Sequence, residues 1–355
     1  MSRACFSAVN AYLAMRLVLA GALAAACFAC GATAPVDPVG VSPSRDASAE
    51  ASPPPAPSAS EGGLGVALTL PVGQYTGCAA ATVNIAGNLE ATNGGNGTVT
   101  LSMDGEGGVS GALSFDQINA GDPSAHVVVA RGTIGFAPTS STTAALNAGS
   151  FDIQTLDGNN VSASVPVAAS SLSLVGDTLF ISVYGQSADT KFSGFCSCPV
   201  PTSLPRATVV SRTPTTRSIP TGTYAGCTTS YVQLPGGWSS TGGNLSLTIT
   251  TESDGTLTAT PAAGFPMICG GGSLAFHDIA GSTATLSGGQ TCPVQIPCGP
   301  PPSLGPSNAP SEATLTNLAG SIEVVGGALF INVVGDAPSQ ACGSHAISLI
   351  CPTGP

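Results

Sequence analysis

Twelve cysteines and three histidines hold most of the reactive chemistry this chain of 355 residues could offer. Cys196-Ser197-Cys198 is the tightest thiol pair in its folded part. Two cysteines fall short of tetrahedral zinc, which takes four protein ligands or three and a water. His126, His277 and His345 are not spaced around the pair, and it lacks the C-x-x-C spacing of a thiol oxidoreductase. Structural disulfide use is therefore expected. Nucleophilic catalysis needs a base held by an orienting group, and His277-Asp278 is the one adjacent histidine and acid. Neighbours in a strand point to opposite faces, so the two make no dyad without a bulge. No Gly-x-Ser-x-Gly elbow and no phosphate-cradling Gly-x-x-x-x-Gly-Lys segment occurs.

Paired carboxylates could hydrolyse glycosides, and Asp104 with Glu106, or Asp152 with Glu90, are the pairs to consider. The first pair flanks a glycine in an evident turn, which reads as solvated. Asp104-Gly-Glu106-Gly and Asp157-Gly-Asn159-Asn160 present the hard oxygens calcium prefers, yet neither follows the twelve-residue calcium loop. The expectation is no metal, no cofactor and no enzyme. Trp238, beside Pro235-Gly236-Gly237 and near Tyr231, is the candidate partner contact, able to stack on a sugar or wedge into a protein.

The elements that would position these residues repeat. Val72-Gly-Gln-Tyr-Thr-Gly-Cys78 returns as Thr221-Gly-Thr-Tyr-Ala-Gly-Cys227, Leu113-Ser-Phe115 as Leu274-Ala-Phe276, and Leu172 to Val183 as Ile322 to Val333. Three landmarks in one order define two units. Period-two apolar segments fill both: Val99 to Met103, Val109 to Phe115, Val127 to Ile134, Phe151 to Leu156, Val161 to Val167, Leu172 to Val175 and Leu179 to Val183 in the first. The second has Leu245 to Thr251, Thr256 to Thr260, Ser273 to Ile279, Ala284 to Leu286, Ala313 to Leu318, Ser321 to Val325 and Leu329 to Val334. Asp104-Gly105, Asp254-Gly255 and Val175-Gly-Asp177 supply hairpin turns. The spacing predicts an all-β chain of two tandem antiparallel domains, each a β-barrel or a β-sandwich. Gly-x-Tyr-x-Gly ahead of a long meander resembles the first strand of small lipocalin-like extracytoplasmic barrels, which implies the barrel.

Only 8% of residues are charged, nineteen acidic against eight basic, for a net charge of −11. A surface so poor in cations cannot gather phosphates, which excludes nucleic acid as a partner. Residues 51–61, Ala-Ser-Pro-Pro-Pro-Ala-Pro-Ser-Ala-Ser-Glu, have no side chain able to build a core and read as a tether. Between the units, 199–218 holds Arg206, Arg212 and Arg217 and no acid, a proline-containing linker.

At the N-terminal end, Met15-Arg16 leads an apolar run from Leu17 to Ala29. That run is too short for a permanent span, which takes about 20 residues. Leu23-Ala-Ala-Ala-Cys27 resembles the box of type II signal peptides of bacterial lipoproteins, with Cys30 a poorer fit because bulky Phe28 precedes it. The resemblance implies cleavage before Cys27, acylation of its thiol and amine, and anchoring through two or more acyl chains. Phe28, rather than aspartate, after the cysteine implies the outer membrane or cell surface. The expected organisation is signal peptide 1–26, lipidated cysteine and disordered tether 27–63, β-domain 64–198, linker 199–218 and β-domain 219–355.

In an oxidising compartment the remaining cysteines are staples. Cys78 is expected to bond Cys196 or Cys198, and its repeat counterpart Cys227 to bond Cys342. Cys269, Cys292, Cys298 and Cys351 remain for two further bonds, with Cys292-Pro-Val-Gln-Ile-Pro-Cys298 reading as a stapled loop. One thiol of the first unit is left over, with Cys30 its remaining partner. The expected function is a lipid-anchored envelope protein of structural or binding role, with an envelope protein or glycan as partner. The other readings are a carrier enclosing a small apolar ligand in a barrel cavity, and a glycan-acting envelope enzyme.

Overall fold

The computed structural model describes residues 66–352, apart from 86–88, 92–94, 104–107, 120–121, 156–161, 189–190, 212–217, 235–238, 263–268, 270–271, 281–282, 297–310 and 338–342. Strand β1 (Val66–Pro71) precedes the first repeat unit. That unit contains β2 (Gly73–Ile85), β3 (Leu89–Ala91), β4 (Gly95–Met103), β5 (Val109–Asn119) and β6 (Asp122–Pro138). It continues through β7 (Thr143–Thr155), β8 (Ser162–Val175), β9 (Thr178–Gln186) and β10 (Lys191–Pro199). After β11 (Arg206–Ser211), the second unit contains β12 (Gly222–Leu234), β13 (Ser239–Thr251), β14 (Leu257–Pro261), β15 (Leu274–Ala280) and β16 (Thr283–Leu286). It ends with β17 (Cys292–Ile296), β18 (Ser311–Val325), β19 (Ala328–Asp336) and β20 (Ser344–Cys351).

Both units close. In the first, antiparallel pairing runs β2-β4-β5-β6-β7-β8-β9-β10 and β10 returns to β2, an eight-stranded barrel with β3 appended to β2. In the second the ring is β12-β13-β14-β15-β16-β18-β19-β20 and back to β12, with β17 appended to β18. Closure leaves no edge in either ring, which decides for barrels over sandwiches. Expected segments Val161–Val167 and Leu172–Val175 merge into β8, whose register slips between Val167 and Ala169. Ala313–Leu318 and Ser321–Val325 likewise merge into β18, with a slip between Thr316 and Ala319. Part of the linker is a strand: β11 pairs with β1, and Leu68, Leu70 and Val209 of this ribbon join the first barrel's core.

The Gly-x-Tyr-x-Gly-Cys motif does the same work twice. Gly77 and Gly226 hold φ of 71° and 67°, a region side chains avoid. They sit where the register slips between Tyr75 and Cys78 and between Ala225 and Cys227, so each is the bulge that bends the first strand into the ring. The bend buries both tyrosines, whose hydroxyls donate to the carbonyl oxygens of Pro71 (2.7 Å) and Pro220 (2.9 Å). Burial holds the Tyr75 hydroxyl proton to about pH 12. Tyr75→Phe removes the donor and leaves the proline carbonyl short of a partner, so a loss of about 1 kcal/mol is expected in urea unfolding.

Three disulfides are present among the described residues. Cys78–Cys198 joins β2 to β10 and Cys227–Cys351 joins β12 to β20, each bridging the seam where first and last strands meet. Cys227 thus pairs with Cys351 and not with the expected Cys342. The reason is register: Thr228 lies opposite Ile350, so Cys351 is the residue across from Cys227. Cys292 bonds Cys269, so the stapled-loop reading of 292–298 is corrected too.

Both interiors are filled by alternate residues. In the first barrel Phe151 touches Phe115 and Phe192, with ring centroids 5.5 and 5.6 Å away. A Cβ on Gly132 would collide with the Ser150 carbonyl and the Phe151 ring, so only glycine lets β6 lie this close.

The barrels pack against each other through β2, β8, β9 and β10 of the first and β12, β13, β18, β19 and β20 of the second. One apolar cluster joins Ala169 and Tyr184 to Val325 and Phe330. The other joins Val175 and Phe180 to Ala319 and Val334. Advancing 150 residues converts each half of one cluster into the matching half of the other. That exchange is the signature of an isologous contact, as in a two-fold dimer, here made within one chain.

Candidate functional site

A concave surface lies on the outside of the first barrel. Side chains alternate across a strand. The outward residues of four neighbouring strands therefore form one face: Thr98 and Thr100 of β4, Ala112 and Ser114 of β5, Arg131 and Thr133 of β6, and Ser150 and Asp152 of β7. Register places Ser114 opposite Arg131 and Arg131 opposite Asp152. These short side chains leave a groove of about 530 Å³, open to solvent. Its lining offers hydroxyls, one guanidinium and one carboxylate, and no histidine or cysteine. Such a surface can hydrogen-bond a polar ligand along the strands.

A second polar cluster lies between the barrels. Glu323 of β18 is 1% exposed; it accepts from the Thr139 hydroxyl at 2.6 Å through Oε1 and from the Ser171 hydroxyl at 2.7 Å through Oε2. Burial pushes its carboxyl up to about 7, while the hydroxyls of Thr139, Ser171 and Thr143 act the other way. Asn332 donates to Ser173 at 3.0 Å and accepts from Ser182 at 3.2 Å. Ser182 and Asn332 are equivalent positions in the repeat, and equivalent positions touch only near the local two-fold axis. Thr228 donates to Ser193 at 3.0 Å on the same joint.

Inside the second barrel, His345 is fully buried and stacks on Tyr231, centroids 5.3 Å apart, with neither ring nitrogen hydrogen-bonded. It shares the inward face of β20 with Ile347 and Leu349. Burial lowers its pKa to about 4, Asp336 opposing, so it is neutral in the folded barrel. In the first barrel, Cys196 is a buried thiol with its sulfur 3.6 Å from that of Cys198. The sulfurs of Cys78, Cys196 and Cys198 all lie within 4.8 Å of one another. Two of them are consumed in a bond, and burial pushes the third up to about 12, so it stays protonated.

The remaining expected site residues are scattered. His277 is exposed, its Nδ1 3.0 Å from the Thr256 hydroxyl, and the side chain of Asp278 lies outside the described residues, as does that of His126. Thr256 also donates its backbone N–H to Asp254 at 2.9 Å, and its hydrogen bonds hold that carboxyl below its usual value. Asp152 lies opposite Arg131, and the side chain of Glu90, on β3, lies outside the described residues. Cys27, Asp104, Glu106, Asp157, Trp238, Cys298 and Cys342 lie outside the described residues. Sequence reasoning passed over Glu323 and Asn332 although a signal was present. Within the matched run Leu172–Val183 and Ile322–Val333, Ser173 and Ser182 become a carboxylate and an amide in otherwise apolar strands.

No family model matches the chain, and no curated protein matches it. Solved structures do align with it, two of them as follows. A candidate outer membrane protein from Bacteroides fragilis is 11% identical over 79% of this chain and 96% of its own, with a TM-score of 0.23. A protein of unknown function from the DUF3598 family, from Nostoc punctiforme, is 10% identical over 79% of this chain and 94% of its own, with a TM-score of 0.22. Neither likeness bears on function.

Proposed function

We propose that this is a lipid-anchored envelope protein, held by acylated Cys27 at the outer membrane or cell surface, that binds a polar ligand through the outer face of its first barrel and performs no catalysis. The observation that carries the binding reading is the groove of Thr98, Thr100, Ser114, Arg131, Thr133, Ser150 and Asp152, placed outside a barrel whose lumen its own rings occupy. A lining rich in hydroxyls, with one fork of donors and one pair of acceptor oxygens, suits the hydroxyls of a glycan. The anchor reading rests on the box before Cys27 and on the long tether that follows it.

Intact mass and membrane fractionation of wild type and Cys27→Ala test the anchor. The mature wild type is expected to begin at Cys27, carry acyl mass and pellet with membranes, and Cys27→Ala to lose both acyl mass and pelleting. An unacylated wild type in the soluble fraction overturns it. For the groove, purified envelope polysaccharide is expected to retain the wild type and not Arg131→Ala/Asp152→Ala; equal behaviour of the two removes the groove from the reading.

A further inference from the structure

Among the described residues, no cation faces the buried carboxyl of Glu323 at the contact between the barrels. Glu323 projects from β18 of the second barrel into hydroxyls of the first, Thr139 and Ser171, with Thr143 close by. On its own barrel it lies opposite Thr283 of β16 and Phe330 of β19. None of these five residues is charged. The adjoining apolar cluster contributes one titratable side chain, Tyr184, whose hydroxyl donates to Gln186 and whose pKa burial raises. A neutral carboxyl is well served here, since it can donate one hydrogen bond and accept others. A carboxylate in the same place keeps two hydroxyl donors and loses the rest of its hydration, with no counter-charge in exchange.

We propose that the joint between the two barrels is a pH-responsive contact, closed while the Glu323 carboxyl is protonated and loosened when it ionises. In an opened joint the carboxyl regains water and its ordinary value of 4.5, against about 7 when closed. The closed joint therefore binds more protons between those values. Its stabilisation is fully present below 4.5 and is lost as pH rises through about 7. Opening should grow about tenfold per pH unit inside the window and level off above it. Opening would uncover the two matched apolar clusters while each barrel stays closed by its own disulfide. His345 titrates in the opposite sense, but it faces the second barrel's interior, so its protonation in acid weakens that barrel and not the joint.

Hydroxyl-radical footprinting of the full chain separates the two, because the joint covers side chains while the strand amides remain paired within each ring. Oxidation of Phe180, Phe195 and Phe330 is expected to rise by about two orders of magnitude between pH 5 and pH 8. That of the lumen rings Phe115 and Phe151 should stay level, and Glu323→Gln should flatten the profile. Ser171→Ala, which removes a donor that favours the carboxylate, should move the transition to higher pH. Carbon-13 NMR of the wild-type glutamates reads the same group without any substitution. A Glu323 carboxyl titrating near 4.5, or a Glu323→Gln profile matching the wild type, overturns the proposal.

Discussion

Cys227→Ala is expected to destabilise the second barrel by about 4–5 kcal/mol, enough to leave it largely unfolded at moderate urea. Cys198→Ala should cost the first barrel clearly less. Both bonds close loops of similar length, with sequence separations of 124 and 120, so chain entropy alone would make the two losses nearly equal. The difference is Cys196. It stands two residues from Cys198 on the same inward face of β10, with its sulfur within 4.8 Å of that of Cys78. When Cys198 is absent, oxidative folding can join Cys78 to Cys196 and close nearly the same loop. No described cysteine offers Cys227 a similar substitute. Urea unfolding with a thiol count by mass checks this: at this cluster the wild type has one free thiol, Cys196, and re-paired Cys198→Ala should have none. Cys196→Ala/Cys198→Ala should fall to the full loss. Equal losses for Cys227→Ala and Cys198→Ala, with Cys78 free in the latter, would show the thiol to be a bystander.

The repeat and the strand pattern made the two-domain all-β reading legible, because a half-buried strand writes its two faces into alternate residues. Closure was not legible. Whether β10 returns to β2 depends on tilt and register, and a barrel and a sandwich bury the same alternate positions. The pairing of Cys227 was misplaced for a related reason. Cys342 follows the last strand that alternation reveals, whereas a further strand, β20, runs from Ser344 to Cys351 beyond it. That strand is buried on both faces, one toward the lumen and one toward the other barrel, so alternation vanishes from it. The groove was invisible for the opposite reason: Thr98, Ser114, Thr133 and Ser150 look like any wet face until four strands are laid side by side. Glu323 needed only the repeat itself, where a carboxylate stands in place of Ser173.

Phe151→Ala is expected to cost the first barrel about 3–5 kcal/mol, the ordinary range for truncating a fully buried aromatic ring. The outcome also bears on what the lumen is for. Phe151, Phe115 and Phe192 form a triangle with centroids 5.5, 5.6 and 6.2 Å apart, so removing Phe151 takes contacts from both of the other rings. The surrounding strands are tied at the seam by Cys78–Cys198 and cannot collapse far into the space. An apolar void of that kind stays dry and accepts benzene or xenon. Benzene should therefore raise the unfolding midpoint of Phe151→Ala by mass action and leave that of the wild type unchanged. If the wild type gains as much, its lumen already has room for an apolar guest, and the carrier reading displaces the groove. With the wild type indifferent and the variant responsive, the native rings are themselves the filling, and recognition has to take place on the outer face.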